Sequence, residues 1–78
     1  MPRRGFANHI RRLRFEHGEM TQQELAVRVG CTRQTIIALE AGRYSPSLAL
    51  AFDIAEVFGA PVEEVFERGH RADEELRR

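Results

Sequence analysis

Residues 21–43, TQQELAVRVGCTRQTIIALEAGR, leave the backbone little freedom. Thr21-Gln22-Gln23-Glu24 has the form of a capping box. The threonine hydroxyl accepts a backbone N–H three residues on, and the glutamate reaches back to the Thr21 N–H. It opens a helix over about 22–29 whose inner face is Leu25, Ala26 and Val29. Gly30-Cys31 makes a short turn. Thr32 caps a second helix, over about 33–41, with Ile36 and Leu39 facing inward. Gly42 stands where a left-handed residue closes a helix.

Two short helices joined by a three-residue, glycine-containing turn form a helix-turn-helix. The small Ala26 suits a close crossing of the two helices. Leu25, Val29, Ile36 and Leu39 fill the space between them. Arg33, Gln34, Ile37 and Ala38 are left on the outer face of the second helix. The start of that helix, Thr32 to Thr35, holds no acid, so its amides and side chains suit phosphate.

Elsewhere, apolar spacings of three and four dominate, and no stretch alternates long enough to predict a strand. Ile10, Leu13 and Phe6 mark a first helix over about 7–17, with Asn8 a candidate cap and Gly18 its end. A fourth helix is expected over about 47–58, behind Ser45-Pro46-Ser47 and ending at Gly59. Pro61 opens a short fifth helix carrying Val62, Val65 and Phe66. Residues 69–78 hold only Ala72 and Leu76 as apolar content and read as a frayed charged tail. Residues 1–68 are therefore expected to form one domain and 69–78 the tail.

A chain of 78 residues buries only about 60% of its unfolded surface, so its core is thin. No apolar run approaches the ~18 residues of a membrane span, and Asn8, His9, Arg11 and Arg12 break up any secretory h-region. The lone Cys31 cannot form an internal disulfide, which fits a reducing cytoplasm. Zero net charge hides an asymmetry. Residues 1–43 carry eight arginines against four acids, a net of +4. Residues 44–78 carry four arginines against eight acids, a net of −4. Only the first half suits a polyanion. All twelve basic residues are arginine, the side chain that meets phosphate or guanine with two parallel hydrogen bonds. Compositional bias of the source genome explains that usage equally well.

With these residues in place, the chain resembles the Cro/cI (XRE) family of helix-turn-helix DNA-binding domains. The likeness covers residues 13–66. It rests on Thr21-Gln22 with Glu24-Leu25-Ala26, on Leu39-Glu40-x-Gly42-Arg43, on Pro46-Ser47-Leu48 and on Phe58-Gly59-x-Pro61. One departure is the loop Gly18-Glu19-Met20-Thr21, a residue longer than the commonest form. The resemblance implies an all-α fold, a compact five-helix bundle of the phage-repressor type. It also implies a sequence-specific transcription regulator that binds double-stranded DNA. Arg33 and Gln34 would reach base edges in the major groove, with Ile37 and Ala38 against thymine methyls. Gln22, Thr32, Thr35, Arg43 and Tyr44 would contact backbone oxygens. Arg14 and Glu40 would form an internal ion pair between the first and third helices.

Nine of the twelve residues 47–58 are apolar, more than one core-facing stripe needs. Leu48, Ala51, Ala55 and Phe58 are expected to form that stripe. Leu50, Ile54, Val57, Val62 and Phe66 are then expected at the interface of a homodimer. A helix simply central to the monomer is the competing explanation. His9, His17 and His70 lie at no metal-ligand spacing from cysteine, and Glu63-Glu64 point apart on a helix. No cofactor and no catalysis are expected. The alternative function is an antitoxin or adaptor that binds a protein partner through the acidic half.

Overall fold

Three hydroxyl groups decide where helices begin. In the computed structural model, which describes residues 6–68, the chain runs β1 (Phe6–Asn8), α1 (Ile10–Glu16), α2 (Gln22–Val29), α3 (Arg33–Glu40), α4 (Leu48–Phe58), α5 (Val62–Val65) and β2 (Phe66–Arg68). The Glu24 amide donates to Thr21 Oγ1 at 3.0 Å, and the Thr21 amide donates to the Glu24 carboxylate at 2.8 Å. That completes the capping box of α2. Thr32 caps α3 by accepting from the Thr35 amide at 3.1 Å, and Ser47 caps α4 by accepting from the Leu50 amide at 3.1 Å. Such caps contribute about 1 kcal/mol each. Gly42, two residues beyond Glu40, closes α3: its φ of 75° lets the Arg43 amide return to the Ala38 carbonyl at 3.0 Å. This closure directs the chain sharply away after Arg43.

Ile10, Leu25, Ile36, Leu39, Ile54 and Val65 are fully buried, so α1, α2, α3, α4 and α5 share one core. Met20 joins them from the loop between α1 and α2. The longer loop explains how. Gly18 and Glu19 both take left-handed φ, 80° and 57°, which costs a non-glycine residue roughly 1 kcal/mol. The double turn brings the Met20 amide to the Arg14 carbonyl at 2.9 Å and drives the Met20 side chain inward. α2 still starts at Gln22, where its cap places it.

The chain is mostly helical, with three departures from expectation. First, the two ends of the described chain pair as an antiparallel sheet with Phe6 opposite Arg68, Ala7 opposite Glu67 and Asn8 opposite Phe66. Three-residue strands carry no alternation that a sequence reading can detect. Residues 6–8 are thus strand, and α1 begins at Ile10 rather than near 7. Asn8 is not the helix cap; that position is His9. The Asn8 carboxamide accepts from the Ile10 amide at 3.2 Å and donates to the Leu39 carbonyl at 2.8 Å, which fastens β1 to α3. Second, Phe66 leaves α5 for β2.

Third, α4 is rotated relative to the expected stripe. Its buried face is Ala51, Ile54, Ala55 and Phe58. Leu48 is 69% exposed and Phe52 55%. Where nearly every position is apolar, periodicity cannot fix the inward direction, and packing against α2 and α5 does so instead. The expected tail, residues 69–78, lies outside the described residues, as do Arg3 and Arg4.

The rotation has a measurable consequence. Ile54→Ala is expected to lower the free energy of unfolding by about 2–5 kcal/mol, and Leu48→Ala by under about 0.5 kcal/mol. Urea denaturation of the two variants checks this, and equal losses would place Leu48 in the core after all.

Candidate nucleic-acid interface

Arg14 reaches out of α1 and binds two other segments. Its Nε and Nη2 donate to the two carboxylate oxygens of Glu40 at 2.7 and 3.1 Å, and its Nη1 donates to the Met20 carbonyl at 2.7 Å. The side chains retain only 11% and 12% of their exposure. Parallel hydrogen bonds between ionised partners are among the strongest available to a protein. Gln22 adds a third donor to Glu40, from Nε2 to Oε1 at 3.3 Å. Glu40 is therefore fully engaged, and its charge is matched by Arg14.

Around this pair lies an open bowl between α1 and the starts of α2 and α3, lined by Arg11, Phe15, Gln22, Gln23 and Arg33 among others. Arg14 is compensated within it. Arg11 and Arg33 form no ion pair among the described residues, since the arginine–carboxylate pairs there are Arg12–Glu16 and Arg14–Glu40. The bowl is therefore net positive and rich in side-chain amides, a combination that suits an anion.

The start of α3 forms one wall. Its first turn holds no acid, and Arg33 and Gln34 are exposed. Ile37 and Ala38 are half-buried one turn further on. Thr32 and Thr35 face each other with 3.0 Å between hydroxyl oxygens. One hydroxyl proton bridges them, which leaves the other free for an acceptor outside the protein. Gln22, expected at a backbone phosphate, is half-buried with its amide already oriented by Glu40. Arg43 and Tyr44 are exposed just beyond the end of α3. The fold thus gathers Gln22, Arg33, Gln34, Thr32 and Thr35 on neighbouring helix starts, with Arg43 and Tyr44 at the opposite end of α3.

The expected dimer residues divide. Ile54 is fully buried and Phe66 nearly so; both are used by the protomer's own core and have little left to offer a second copy. Leu50, Val57 and Val62 are half-buried at its margin. His70 lies outside the described residues, and the two described histidines serve locally. His9 Nε2 meets Glu67 Oε2 at 2.8 Å, and His17 Nδ1 meets the Leu13 carbonyl at 2.9 Å while its ring packs against Phe58. Among the described residues, no three His, Cys, Asp or Glu side chains gather as metal ligands, and no helix is long and apolar enough to cross a membrane. Burial pushes the Cys31 thiol pKa up, which disfavours the nucleophilic thiolate. Sequence reasoning missed Phe15 on the rim of the bowl; its one signal is its place four residues after Arg11.

A family model described as helix-turn-helix matches residues 10–65. An uncharacterized helix-turn-helix-type transcriptional regulator of Methanothermobacter thermautotrophicus is 62% identical over 58 residues, covering 73% of this chain and 83% of the relative. Another such regulator, from Archaeoglobus fulgidus, is 54% identical over 57 residues, covering 73% and 80%. The cryptic phage CTXphi transcriptional repressor RstR of Vibrio cholerae is 35% identical over 60 residues, and the match spans about half of its length, 53%. A crystal structure of a Bacteroides fragilis protein superposes with a TM-score of 0.69 over 80% of this chain and 98% of that one. At 22% identity, this last likeness is one of fold.

The pair at the base of the bowl yields a stability test. Glu40→Ala is expected to cost about 3 kcal/mol, because it leaves a nearly buried guanidinium unmatched. The double variant Arg14→Met/Glu40→Leu should lose less than the sum of the two single substitutions. Strict additivity in urea denaturation would show that the two side chains are not energetically coupled.

Proposed function

The chain belongs to the XRE (Cro/cI) helix-turn-helix family, and we propose that it is a sequence-specific DNA-binding transcription regulator that works as a homodimer in the cytoplasm. One observation carries the reading: the start of α3 is exposed, polar and free of acids, and it adjoins a bowl whose uncompensated charge is positive. In this reading α3 enters the major groove. Arg33 pairs with guanine O6 and N7, and Gln34 with adenine N6 and N7. Ile37 and Ala38 pack on thymine methyls. Gln22, Thr32, Thr35, Arg43 and Tyr44 hold backbone oxygens and fix the register.

A two-fold dimer sets two copies of α3 about 34 Å apart on a palindromic operator. Its interface draws on the half-buried Leu50, Val57 and Val62 together with the exposed Leu48 and Phe52. Ile54 and Phe66 support this surface from beneath. The second reading is an antitoxin or adaptor that binds a protein partner. It is favoured by four carboxylates on α4 and α5, at Asp53, Glu56, Glu63 and Glu64, that form no ion pair among the described residues. Such a protein can still bind DNA, so pull-down of a stoichiometric partner separates the two.

The decisive experiment is selection of bound duplexes from a random pool, followed by variants on the enriched sequence. Arg33→Ala should weaken binding by about 1–3 kcal/mol and relax one operator position, whereas Arg43→Ala should weaken all sequences evenly. Equal losses on every duplex for both variants would reject this division of roles. Equilibrium sedimentation should show a dimer at tens of micromolar, roughly the range in which a modest interface is populated. A strict monomer would remove the proposed interface.

A further inference from the structure

The three arginines of α1 are held in three different ways. Arg12 meets Glu16 one turn on, at 3.2 Å. Arg14 is locked to Glu40. Arg11 meets no carboxylate among the described residues. Its guanidinium lies instead over the ring of Phe15, 5.9 Å from the centroid. Phe15 is 55% exposed and outside the core, so burial does not account for an aromatic residue at that position. Both side chains line the bowl that also holds Gln22 and Arg33.

The nature of the contact matters. A carboxylate partner neutralises a guanidinium and occupies its N–H donors, as Glu40 does for Arg14. An aromatic ring attracts the cation through its quadrupole but carries no charge. A ring accepts none of the guanidinium's N–H groups as a carboxylate would, so they stay available for bonds to an anion. Arg11 therefore combines a contact that biases its direction with a charge that no described carboxylate matches and with open donors.

We propose that Arg11 contacts a further phosphate of the DNA backbone and that Phe15 is the positioning residue holding it over the bowl. This inference rests on the DNA-binding reading above. It widens the backbone contact from the starts of α2 and α3 to the middle of α1. Base readout stays with α3.

The test uses the full chain, the duplex enriched from the random pool and fluorescence anisotropy across a salt series. Arg11→Ala should reduce the slope of log affinity against log salt by about 0.9, the loss of one phosphate contact. Phe15→Ala should weaken binding about two- to fivefold, the range of an exposed cation–π contact. Phe15→Leu, which keeps bulk but not the quadrupole, should behave like Phe15→Ala, and Phe15→Tyr should restore binding. Phe15→Ala should add no further loss in the Arg11→Ala background. Thermal midpoints should stay unchanged throughout, since both side chains are exposed. An unchanged salt slope for Arg11→Ala, with Arg33→Ala still weakening binding, overturns this inference and leaves the DNA-binding reading standing. Full additivity of the Arg11 and Phe15 losses removes the positioning role of Phe15. Absence of wild-type binding to any duplex removes both the inference and the reading beneath it.

Discussion

The arrangement of the bowl depends on one ion pair. Arg14 and Glu40 join α1 to α3, and the third guanidinium nitrogen holds the Met20 carbonyl at the approach to α2. Three helices are thereby fixed relative to one another through a single side chain. The pair is almost hidden, where ion pairing must overcome desolvation and does so only when the geometry is good. Here both carboxylate oxygens are bound, and no buried polar side-chain atom among the described residues lacks a hydrogen-bond partner. The pair also removes the negative charge of Glu40 from the floor of the bowl. Gln22 takes its orientation from the same carboxylate, so one acid both organises the site and is silenced within it.

Much of this was legible in the chain because caps are local. Thr21 with Glu24, Thr32 and Ser47 each act within three residues, and α2, α3 and α4 begin where those residues require. The inward positions of α2 and α3 were legible from apolar residues at spacings of three and four, Leu25 with Val29 and Ile36 with Leu39. What escaped has separate causes. β1 and β2 are three residues each and gain their hydrogen bonds from a partner some sixty residues away, a relation no local pattern encodes. The direction of α4 was hidden by its own uniformity, and Ile54 rather than Leu48 became its anchor. Phe15 escaped because aromatic residues at helical spacing usually belong to a core, whereas this one lies on the rim of the bowl. The arginine–glutamate pair, by contrast, came from family likeness and not from spacing.

Charge is sorted along the chain in a way the fold preserves. Arg11 and Arg33, which meet no carboxylate among the described residues, line a bowl built by α1, α2 and α3. The acids Asp53, Glu56, Glu63 and Glu64, unpaired among the described residues, sit on α4 and α5. A molecule neutral in sum thus presents a dipolar surface, and the fields of its two halves fall off within about 8–10 Å at ordinary ionic strength. Orientation toward a polyanion is set by this sorting, while net charge contributes nothing to it.

The small sheet joins residues far apart in the sequence. Phe6 pairs with Arg68, so this ladder closes nearly the whole described chain into a loop. Contacts between distant residues carry the largest chain-closure entropy. The α2–α3 contacts are local and cost little chain entropy, whereas the pairing of β1 with β2 is the closing step of longest reach in the described chain. That step brings the His9 amide to the Val65 carbonyl at 2.8 Å and seats α1, which starts one residue later. Arg14 projects from that same α1, so the helix that carries the charged pair under the bowl is also the one tethered to the β1–β2 ladder.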